Sequence, residues 1–301
     1  SLVGGANTDT VDYGYAATGI YLEVSSFGSV NVTVGGGDTD VIDHVENAIG
    51  TAHDDTIVGD VANNVLDGSG GSDIVSWHYV SDAIELQLDR NASVTVTINA
   101  NDIDTIISVE GAEGGSGDDI LVGDSGANDL SGYLGDDTLS GREGDDILDG
   151  DAGRDLVDYA YLATAVTAEA SSGGTVTVTL SGGEKDTLAG FEDISGGSAN
   201  DVLYGDAAVN VLYGNLGDDK LSGADGNDTL FGGDGRDIAA YSYVTGSGSG
   251  FTAILDTLGT ATVTVSGSDI DKLVGIEDIR GGEGNDRLDG DATDNVLEGG
   301  L

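Results

Sequence analysis

The sequence predicts an all-β solenoid made of nine-residue half-turns, and three observations lead to this fold class. Residues 132–155, "GYLGDDTLSGREGDDILDGDAGRD", carry in each unit of nine a glycine followed five residues later by an acid. Position 8 of each unit is apolar, as at Leu139 and Leu148, which predicts a very short strand with one inward side chain. The same register returns in separate blocks along the chain, which is typical of a stacked repeat protein.

The composition limits the possible partners. The chain has 301 residues, of which 56 are acidic and 9 are basic, so its formal net charge is −47. The basic residues are scattered, whereas nucleic acid or an anionic membrane surface requires clustered Lys and Arg, so neither partner is expected. No cysteine is present, which excludes thiolate metal sites, and no apolar run is long enough for membrane insertion. Regularly spaced apolar residues nevertheless distinguish the chain from a disordered acidic tail, so we expect a fold completed by a cation.

Repeat blocks alternate with inserts in four tandem modules. The boundaries are a partial repeat at 1–12, an insert at 13–49, a block at 50–76, an insert at 77–113, a block at 114–158, an insert at 159–195, a block at 196–240, an insert at 241–280 and a partial block at 281–301. Equivalent acids at Asp9, Asp73, Asp155 and Asp237 show that the first module is shorter than the next two by two repeat units, which is one whole coil. We therefore expect one continuous solenoid, a rod in which every insert faces the same side.

Each insert opens with two aromatic residues and closes on an acid followed six residues later by a glutamate. Alternating stretches such as "SVTVTI" between them predict strands. We expect the aromatic residues to seal the core where the two kinds of turn meet; a sugar-binding stripe is the alternative interpretation. The aromatic pairs are Tyr13 and Tyr15, Trp77 and Tyr79, Tyr159 and Tyr161, and Tyr241 and Tyr243; the closing pairs are Asp40 and Glu46, Asp104 and Glu110, Asp186 and Glu192, and Asp271 and Glu277.

The nonapeptide G-G-x-G-x-D-x-U-x, in which U is a large apolar residue, resembles the calcium-binding repeat of the RTX family of secreted bacterial proteins. The stretch "GGEGNDRLD" at 281–289 matches this pattern at every defined position. The resemblance implies a right-handed parallel β-roll, a β-helix solenoid with calcium bound between stacked turns. It also implies export by type I secretion and a location outside the cell or on the bacterial surface.

The residue chemistry of the turns suits calcium independently of the resemblance. Calcium takes roughly six to eight oxygen ligands from carboxylates and carbonyls, and glycine tolerates the sharp bend that exposes a carbonyl. Stacking should bring each position-6 residue onto the position-6 residue two units later, so that two side chains share one ion. The seven predicted core pairs are Asp55 with Asp73, Asp119 with Asp137, Asn128 with Asp146, Asp137 with Asp155, Asp201 with Asp219, Asn210 with Asp228, and Asp219 with Asp237.

Further oxygen donors are predicted at position 5 and at the block boundaries. Asp286 is the position-6 acid of the final block, and Arg154 and Arg236 at position 5 predict block ends held by salt bridges. The position-5 candidates are Asp54, Asp118, Asp136, Asp145, Asn200, Asp218, Asn227 and Asn285. Units that begin "GD" carry Asn at position 6, with a Glu two units earlier, and predict four weaker boundary sites or direct hydrogen bonds: Glu46 with Asn64, Glu110 with Asn128, Glu192 with Asn210, and Glu277 with Asn295. The total is about seven core calcium ions, or up to about eleven with the boundary sites.

No catalytic constellation is visible, because the sequence has neither a G-x-S-x-G nor an H-E-x-x-H motif, and we expect no enzymatic activity. The preferred interpretation is a calcium-binding structural region that folds into a rigid rod on secretion, within an adhesin, surface-layer, matrix or fibre protein. The alternative is an accessory calcium-binding or carbohydrate-binding region of a secreted enzyme of the protease, lipase or alginate epimerase type. Besides calcium, the candidate partners are a second copy in a head-to-tail fibre and a surface polysaccharide.

Overall fold

Strands make up the regular structure in the computed structural model of the chain. The structure describes residues 1–34, 38–99, 102–244, 250–256, 259–266 and 269–301. Parts of the inserts at 13–49, 77–113 and 241–280 therefore lie outside the described residues. Within the described ranges no helix has the length and apolar content needed to cross a membrane. The chain divides into two compact units, Ser1–Asp155 and Leu156–Leu301.

The first unit consists of short strands joined by glycine-rich turns. Its strands are β1 (Leu2–Val3), β2 (Thr10–Asp12), β3 (Ile20–Glu23), β4 (Ser25–Val34), β5 (Asp38–Val45), β6 (Asn47–Ile49), β7 (Thr56–Val58), β8 (Val65–Asp67), β9 (Ile74–Ser76), β10 (Glu85–Gln87), β11 (Val94–Asn99), β12 (Asp102–Ile107), β13 (Gly111–Glu113), β14 (Ile120–Val122), β15 (Asp129–Ser131), β16 (Thr138–Ser140) and β17 (Ile147–Asp149).

The second unit repeats the same plan. Its strands are β18 (Leu156–Asp158), β19 (Thr167–Glu169), β20 (Thr175–Thr179), β21 (Lys185–Ala189), β22 (Asp193–Ser195), β23 (Val202–Tyr204), β24 (Val211–Leu216), β25 (Lys220–Ser222), β26 (Thr229–Asp234), β27 (Ile238–Ala240), β28 (Thr252–Ile254), β29 (Ala261–Ser266), β30 (Asp269–Val274), β31 (Asp278–Arg280), β32 (Arg287–Asp289) and β33 (Leu297–Glu298).

Strands that lie two repeat units apart in the sequence pair in parallel, so that two nine-residue half-turns form one coil. Leu121 in β14 is paired with Leu139 in β16, and Leu130 in β15 with Leu148 in β17. These position-8 leucines are completely buried between the two sheets and form the core. The predicted all-β, parallel β-roll fold is therefore confirmed within each unit. The second unit shows the same register, for example between β23 and β25.

The inserts both continue the coil and add a hairpin to it. In the second insert, β12 pairs in parallel with β8 of the preceding block, and β13 pairs in parallel with both β9 and β15. Strand β11 folds back antiparallel on β12. One sheet of the coil thus runs through the insert without interruption, and the extra residues form a hairpin in the opposite sheet.

Successive inserts within a unit do not face the same side, so the expectation of a common face is wrong. The hairpin β4–β5 lies in the sheet that contains β7 and β9, whereas β11–β12 lies in the sheet of β6 and β8. In the second unit, β19 of one insert and β28 to β30 of the next also belong to different sheets. The physical reason is parity: each complete block contains three or five half-turns, and an odd number of half-turns leads to the opposite sheet.

We expect Leu121→Ala to lower the free energy of unfolding by about 2 to 5 kcal/mol, because it removes a fully buried side chain and leaves a cavity. The matched control is Ile120→Ala on the same strand, since Ile120 is 44% exposed and its truncation should change stability by no more than about 0.5 kcal/mol. Urea unfolding in saturating calcium, followed by circular dichroism, measures both. Equal losses for the two variants would contradict the assignment of position 8 as the core.

Candidate metal centre

The position-6 side chains form a buried column in each stack of coils. Each one precedes a short strand. After the first coil of a block, the Oδ1 of each position-6 aspartate accepts a hydrogen bond from the backbone N–H of the position-6 residue two units earlier. The structure thereby brings together all seven predicted core pairs. The N···Oδ1 distances are 2.8 Å for Asp55 and Asp73, 2.7 Å for Asp119 and Asp137, 2.9 Å for Asn128 and Asp146, 2.8 Å for Asp137 and Asp155, 2.7 Å for Asp201 and Asp219, 2.9 Å for Asn210 and Asp228, and 2.9 Å for Asp219 and Asp237.

The second carboxylate oxygen of many of these acids is buried with no protein donor. Among the described residues this is true of Oδ2 in Asp73, Asp137, Asp219, Asp228, Asp237 and Asp286. Each of these oxygens faces the position-1 glycine of its own turn. A methyl group added to Gly281 would lie 2.5 Å from Asp286 Oδ2 and 3.0 Å from the carbonyl oxygen of Gly299. The absence of a side chain at position 1 therefore leaves a cradle lined by a carboxylate oxygen and the glycine carbonyl oxygen of the next coil.

This donor set fits calcium. In the part of the chain that the structure describes, no group of three or more Asp, Glu, His or Cys side chains is arranged so that it could hold a metal ion by itself. Backbone carbonyls would therefore have to supply many of the ligands, and calcium is the biological cation that accepts mixed carboxylate and carbonyl oxygen shells. The position-6 acids and the position-1 glycine carbonyls would hold the ion, which would supply the positive charge that the buried column requires.

The first Asp of each complete block is bonded differently from those that follow. Asp119 Oδ1 accepts the N–H of Ile84 at 2.7 Å, and its Oδ2 accepts the N–H of Gly115 at 2.7 Å. Asp55 and Asp201 make the equivalent contacts with their own inserts. These carboxylates therefore anchor the first strand of an insert to the block.

Burial is the main cause that raises the pKa of the column acids. It raises the pKa of Asp137 and Asp219 to about 7 and that of Asp228 to about 8. The hydrogen bond from the backbone N–H of the preceding coil opposes the rise, and the neighbouring acids of the stack add to it. A buried carboxylate thus needs either a proton or a nearby cation.

The position-5 side chains lie apart from this column, on the exposed side of the turns. Asp118 Oδ1 accepts the N–H of Asp136 at 3.0 Å, and Asp136 Oδ1 accepts the N–H of Arg154 at 3.0 Å. Asp54, Asn200, Asp218 and Asn227 make the same kind of contact, and Asp145 and Asn285 are also exposed. They form an outer ladder of hydrogen bonds between coils, and their role as calcium ligands stays a prediction.

The asparagines of the "GD" units close their own turns. Asn210 Oδ1 accepts the N–H of Asp206 at 2.9 Å, and its Nδ2 donates to the main-chain carbonyl of Glu192 at 2.7 Å. The expected contact between Glu and Asn is present, but it uses the backbone of the glutamate and not its carboxylate. The same pair of bonds is made by Asn64 with Glu46, Asn128 with Glu110, and Asn295 with Glu277.

The aspartate of the "GD" dipeptide has a function that the sequence analysis missed. Asp60 Oδ2 accepts the N–H of Ser26 at 2.6 Å, and Asp124 Oδ2 accepts the N–H of Arg90 at 2.7 Å. Arg90 also binds the Asp124 carboxylate through its guanidinium group. The constant separation of 34 residues is the sequence signal that could have revealed this anchor.

The first aromatic residue of each insert is buried against the acid that closes the insert. Trp77 Nε1 donates to Asp104 Oδ2 at 2.8 Å, whereas Oδ1 of Asp104 accepts the N–H of Asn64 at 2.8 Å. Tyr13 donates to Asp40 at 3.2 Å and Tyr159 to Asp186 at 3.0 Å. Asp104 thus occupies a place in the column, but an indole N–H satisfies the oxygen that lacks a donor in the repeat turns.

The aromatic residues of one pair differ in exposure. Trp77 is fully buried, as the sealing interpretation requires, whereas Tyr79 is 66% exposed and Tyr15 is 78% exposed.

At the end of a block, Arg236 forms the expected salt bridge, with two hydrogen bonds of 2.8 and 3.0 Å to Asp278.

A family model describing the RTX calcium-binding nonapeptide repeat matches the chain in several places. The matches cover residues 49–76, 112–139, 122–157, 186–221, 206–239 and 274–301. Together they span just over half of the chain and include all seven position-6 pairs. No curated protein matches the chain.

With calcium removed by a chelator, we expect the protein to be more stable at about pH 5 than at about pH 8. The folded pKa values of about 7 to 8 lie above that of an unfolded aspartate, about 3.9, so the folded state binds more protons. This stabilisation is complete below about pH 4 and is lost as the pH rises through 7 to 8. Circular dichroism in chelator over this pH range tests the expectation, and a β-structure content that rises from pH 5 to pH 8 would contradict it.

We expect Trp77→Phe to destabilise the calcium-saturated protein by about 1 to 3 kcal/mol, because it leaves the buried Asp104 Oδ2 without its donor. The matched control is Tyr79→Phe, which alters an exposed side chain of the same aromatic pair and should cost no more than about 0.5 kcal/mol. Urea midpoints in saturating calcium provide the comparison. Unchanged stability of the Trp77 variant would show that the indole hydrogen bond is dispensable.

Proposed function

Because the chain belongs to the family of RTX calcium-binding nonapeptide repeats, we propose that it is a structural region of a secreted protein that folds when calcium fills its turns. One observation carries the proposal. Buried Oδ2 atoms such as that of Asp137 have no protein donor and lie beside a cradle that a glycine keeps open. RTX repeats occur in secreted bacterial proteins, and the medium outside a cell provides calcium at the concentrations that such modules need.

Electrostatics supports the coupling of folding to calcium binding. The formal net charge of −47 opposes compaction, and stacking brings carboxylates of successive coils into one buried column. At calcium concentrations about ten times Kd, each site contributes ~1.4 kcal/mol. About seven sites would then contribute on the order of 10 kcal/mol, which is comparable to the whole stability of a domain. The chain would remain unfolded in a cytosol poor in calcium and become ordered after export.

The proposed setting is an adhesin, surface-layer, matrix or fibre protein, in which tandem modules act as a calcium-dependent spacer. Tandem repetition of the same block and insert supports a mechanical role, since stacked repeats build length and contact mainly their neighbours. The proposal gives these residues no catalytic role. The continuous rod inferred from the module spacing remains a prediction about the chain as a whole, and small-angle scattering with and without calcium would test it.

A calcium titration followed by circular dichroism tests the proposed function. We expect a cooperative gain of β-structure with calcium and little response to the same concentration of magnesium, which favours a smaller and more regular octahedral shell. The double variant Asp137→Asn and Asp219→Asn should need more calcium, because two buried carboxylates lose their charge. Asp89→Asn, at an exposed position of an insert, should titrate like the unmodified protein. Full β-structure in chelator at neutral pH would contradict the proposal.

A further inference from the structure

Each insert ends in a short turn that imitates a repeat turn. Glu110 Oε2 accepts the backbone N–H of Asp73 at 3.0 Å, and Glu277 Oε2 accepts that of Asp237 at 2.9 Å. Within the blocks, the backbone N–H of a position-6 residue donates instead to the position-6 carboxylate of the next coil. The glutamate carboxylates therefore extend the column backward to the preceding block, and not forward to the asparagine of the following block.

A cradle with an unsatisfied oxygen lies next to each of these glutamates. Asp73 and Asp237 are fully buried, and the Oδ2 of each has no protein donor among the described residues. A methyl group added to Gly68 would lie 2.5 Å from Asp73 Oδ2 and would also contact the carbonyl oxygen of Ser108. At Gly232 the corresponding neighbours are Asp237 Oδ2, at 2.5 Å, and the Gly275 carbonyl oxygen. At these boundaries a residue of the insert supplies the carbonyl oxygen of the cradle. Within the blocks, the position-1 glycine of the next coil supplies it.

At both boundaries, the residue whose carbonyl lines the cradle has a bent backbone. Ser108 has a φ of 50° and Gly275 a φ of 65°, both in the left-handed region. A serine in that region is uncommon, and such a conformation persists only where the surrounding structure holds it. The acid follows this bent residue after two positions instead of five, and the longer side chain of glutamate suits the shorter turn.

On the opposite side of the same coil, the equivalent acid has a protein donor for each of its two carboxylate oxygens. Both carboxylate oxygens of Asp104 are bonded to protein donors, the N–H of Asn64 and the indole of Trp77, each at 2.8 Å. No donor of this kind reaches Asp73 Oδ2 among the described residues. On the aromatic side of the insert coil the buried acid therefore has its hydrogen bonds satisfied by protein donors, whereas on the glutamate side one buried carboxylate oxygen has none.

We infer that a calcium ion binds at each of these boundaries, one between Asp73, Glu110 and the Ser108 carbonyl, and one between Asp237, Glu277 and the Gly275 carbonyl. Two carboxylates and a carbonyl from converging turns are the hard oxygen donors that calcium accepts. The ion joins the last turn of a block to the end of the following insert, so that the insert locks in register when calcium is bound. This inference rests on the proposed function, because it assumes that the repeat turns take calcium.

The first insert repeats the arrangement. Glu46 Oε2 accepts the N–H of Asp9 at 2.9 Å, and Asp9 Oδ2 is buried without a donor among the described residues. His44, two residues before Glu46, has a φ of 53°, and its carbonyl oxygen would contact a methyl group added at Gly4. A third boundary site of the same design is therefore assigned to Asp9, His44 and Glu46.

The experiment is to count the calcium ions bound by the full chain, using equilibrium dialysis followed by elemental analysis. Glu110→Gln and Glu277→Gln keep the shape and the hydrogen-bond acceptor but remove the charge. We expect each variant to lose one tightly bound ion, and the double variant to lose two. Glu113→Gln is the matched control, because its carboxylate lies three residues further on and accepts a hydrogen bond from Ser76 Oγ; it should bind as many ions as the unmodified chain.

Three outcomes separate the inference from the function on which it rests. Unchanged ion counts and affinities in both glutamate variants would overturn the boundary sites while leaving calcium binding by the repeats intact. No calcium bound by the unmodified chain would overturn the proposed function itself. If Glu110→Gln did not reach the circular dichroism spectrum of the unmodified chain in saturating calcium, Glu277→Gln in the other unit would decide by its own ion count.

Discussion

A column of buried position-6 side chains, most of them carboxylates, is the interaction on which the rest of the structure depends. Within a block, the backbone N–H of a position-6 residue donates to the Oδ1 of the aspartate one coil later and so joins successive coils, as between Asp119 and Asp137. The other oxygen of Asp137 has no protein donor and points into the space left by Gly132. Burial of an uncompensated carboxylate is costly, so the column is complete only when a proton or a cation accompanies it. Folding of the column is therefore linked to the binding of protons or cations.

The column continues through the inserts, although their sequence departs from the repeat. Each insert places acids where the repeat would have placed its own position-6 residue, for example Asp104 on one side of the coil and Glu110 on the other. On the first side, the indole of Trp77 takes the place of a cation. An aromatic donor and a metal ion are thus two solutions to the same problem of a buried oxygen, and the insert uses the first where a large side chain also fills the core.

Further contacts tie each insert to the block that follows it. Asp119 and Asp124 of the block both bind backbone N–H groups at the start of the insert, those of Ile84 and Arg90. The insert is therefore held at its beginning by the following block and at its end by the preceding block. Such an arrangement keeps the coils in register across a segment of different sequence, so one cooperative stack can include both kinds of element.

The sequence by itself determined the parts that depend on strict spacing. Glycine at position 1, an acid or asparagine at position 6 and an apolar residue at position 8 define the half-turn, the parallel pairing and the seven position-6 contacts, because a repeated local conformation must stack on itself. The contact of Asn210 with Glu192 was also predictable, because the two residues are separated by one full coil of the repeat.

Only the tertiary structure decided which atoms meet. It showed that the Glu192 contact uses a backbone carbonyl, that Glu110 reaches back to Asp73, and that Trp77 covers Asp104. It also showed that successive inserts within a unit lie in opposite sheets. Spacing gives the distance along the chain but not the direction in which a side chain points, and that direction is set by backbone bends such as the positive φ of Ser108 and by the packing of neighbouring coils.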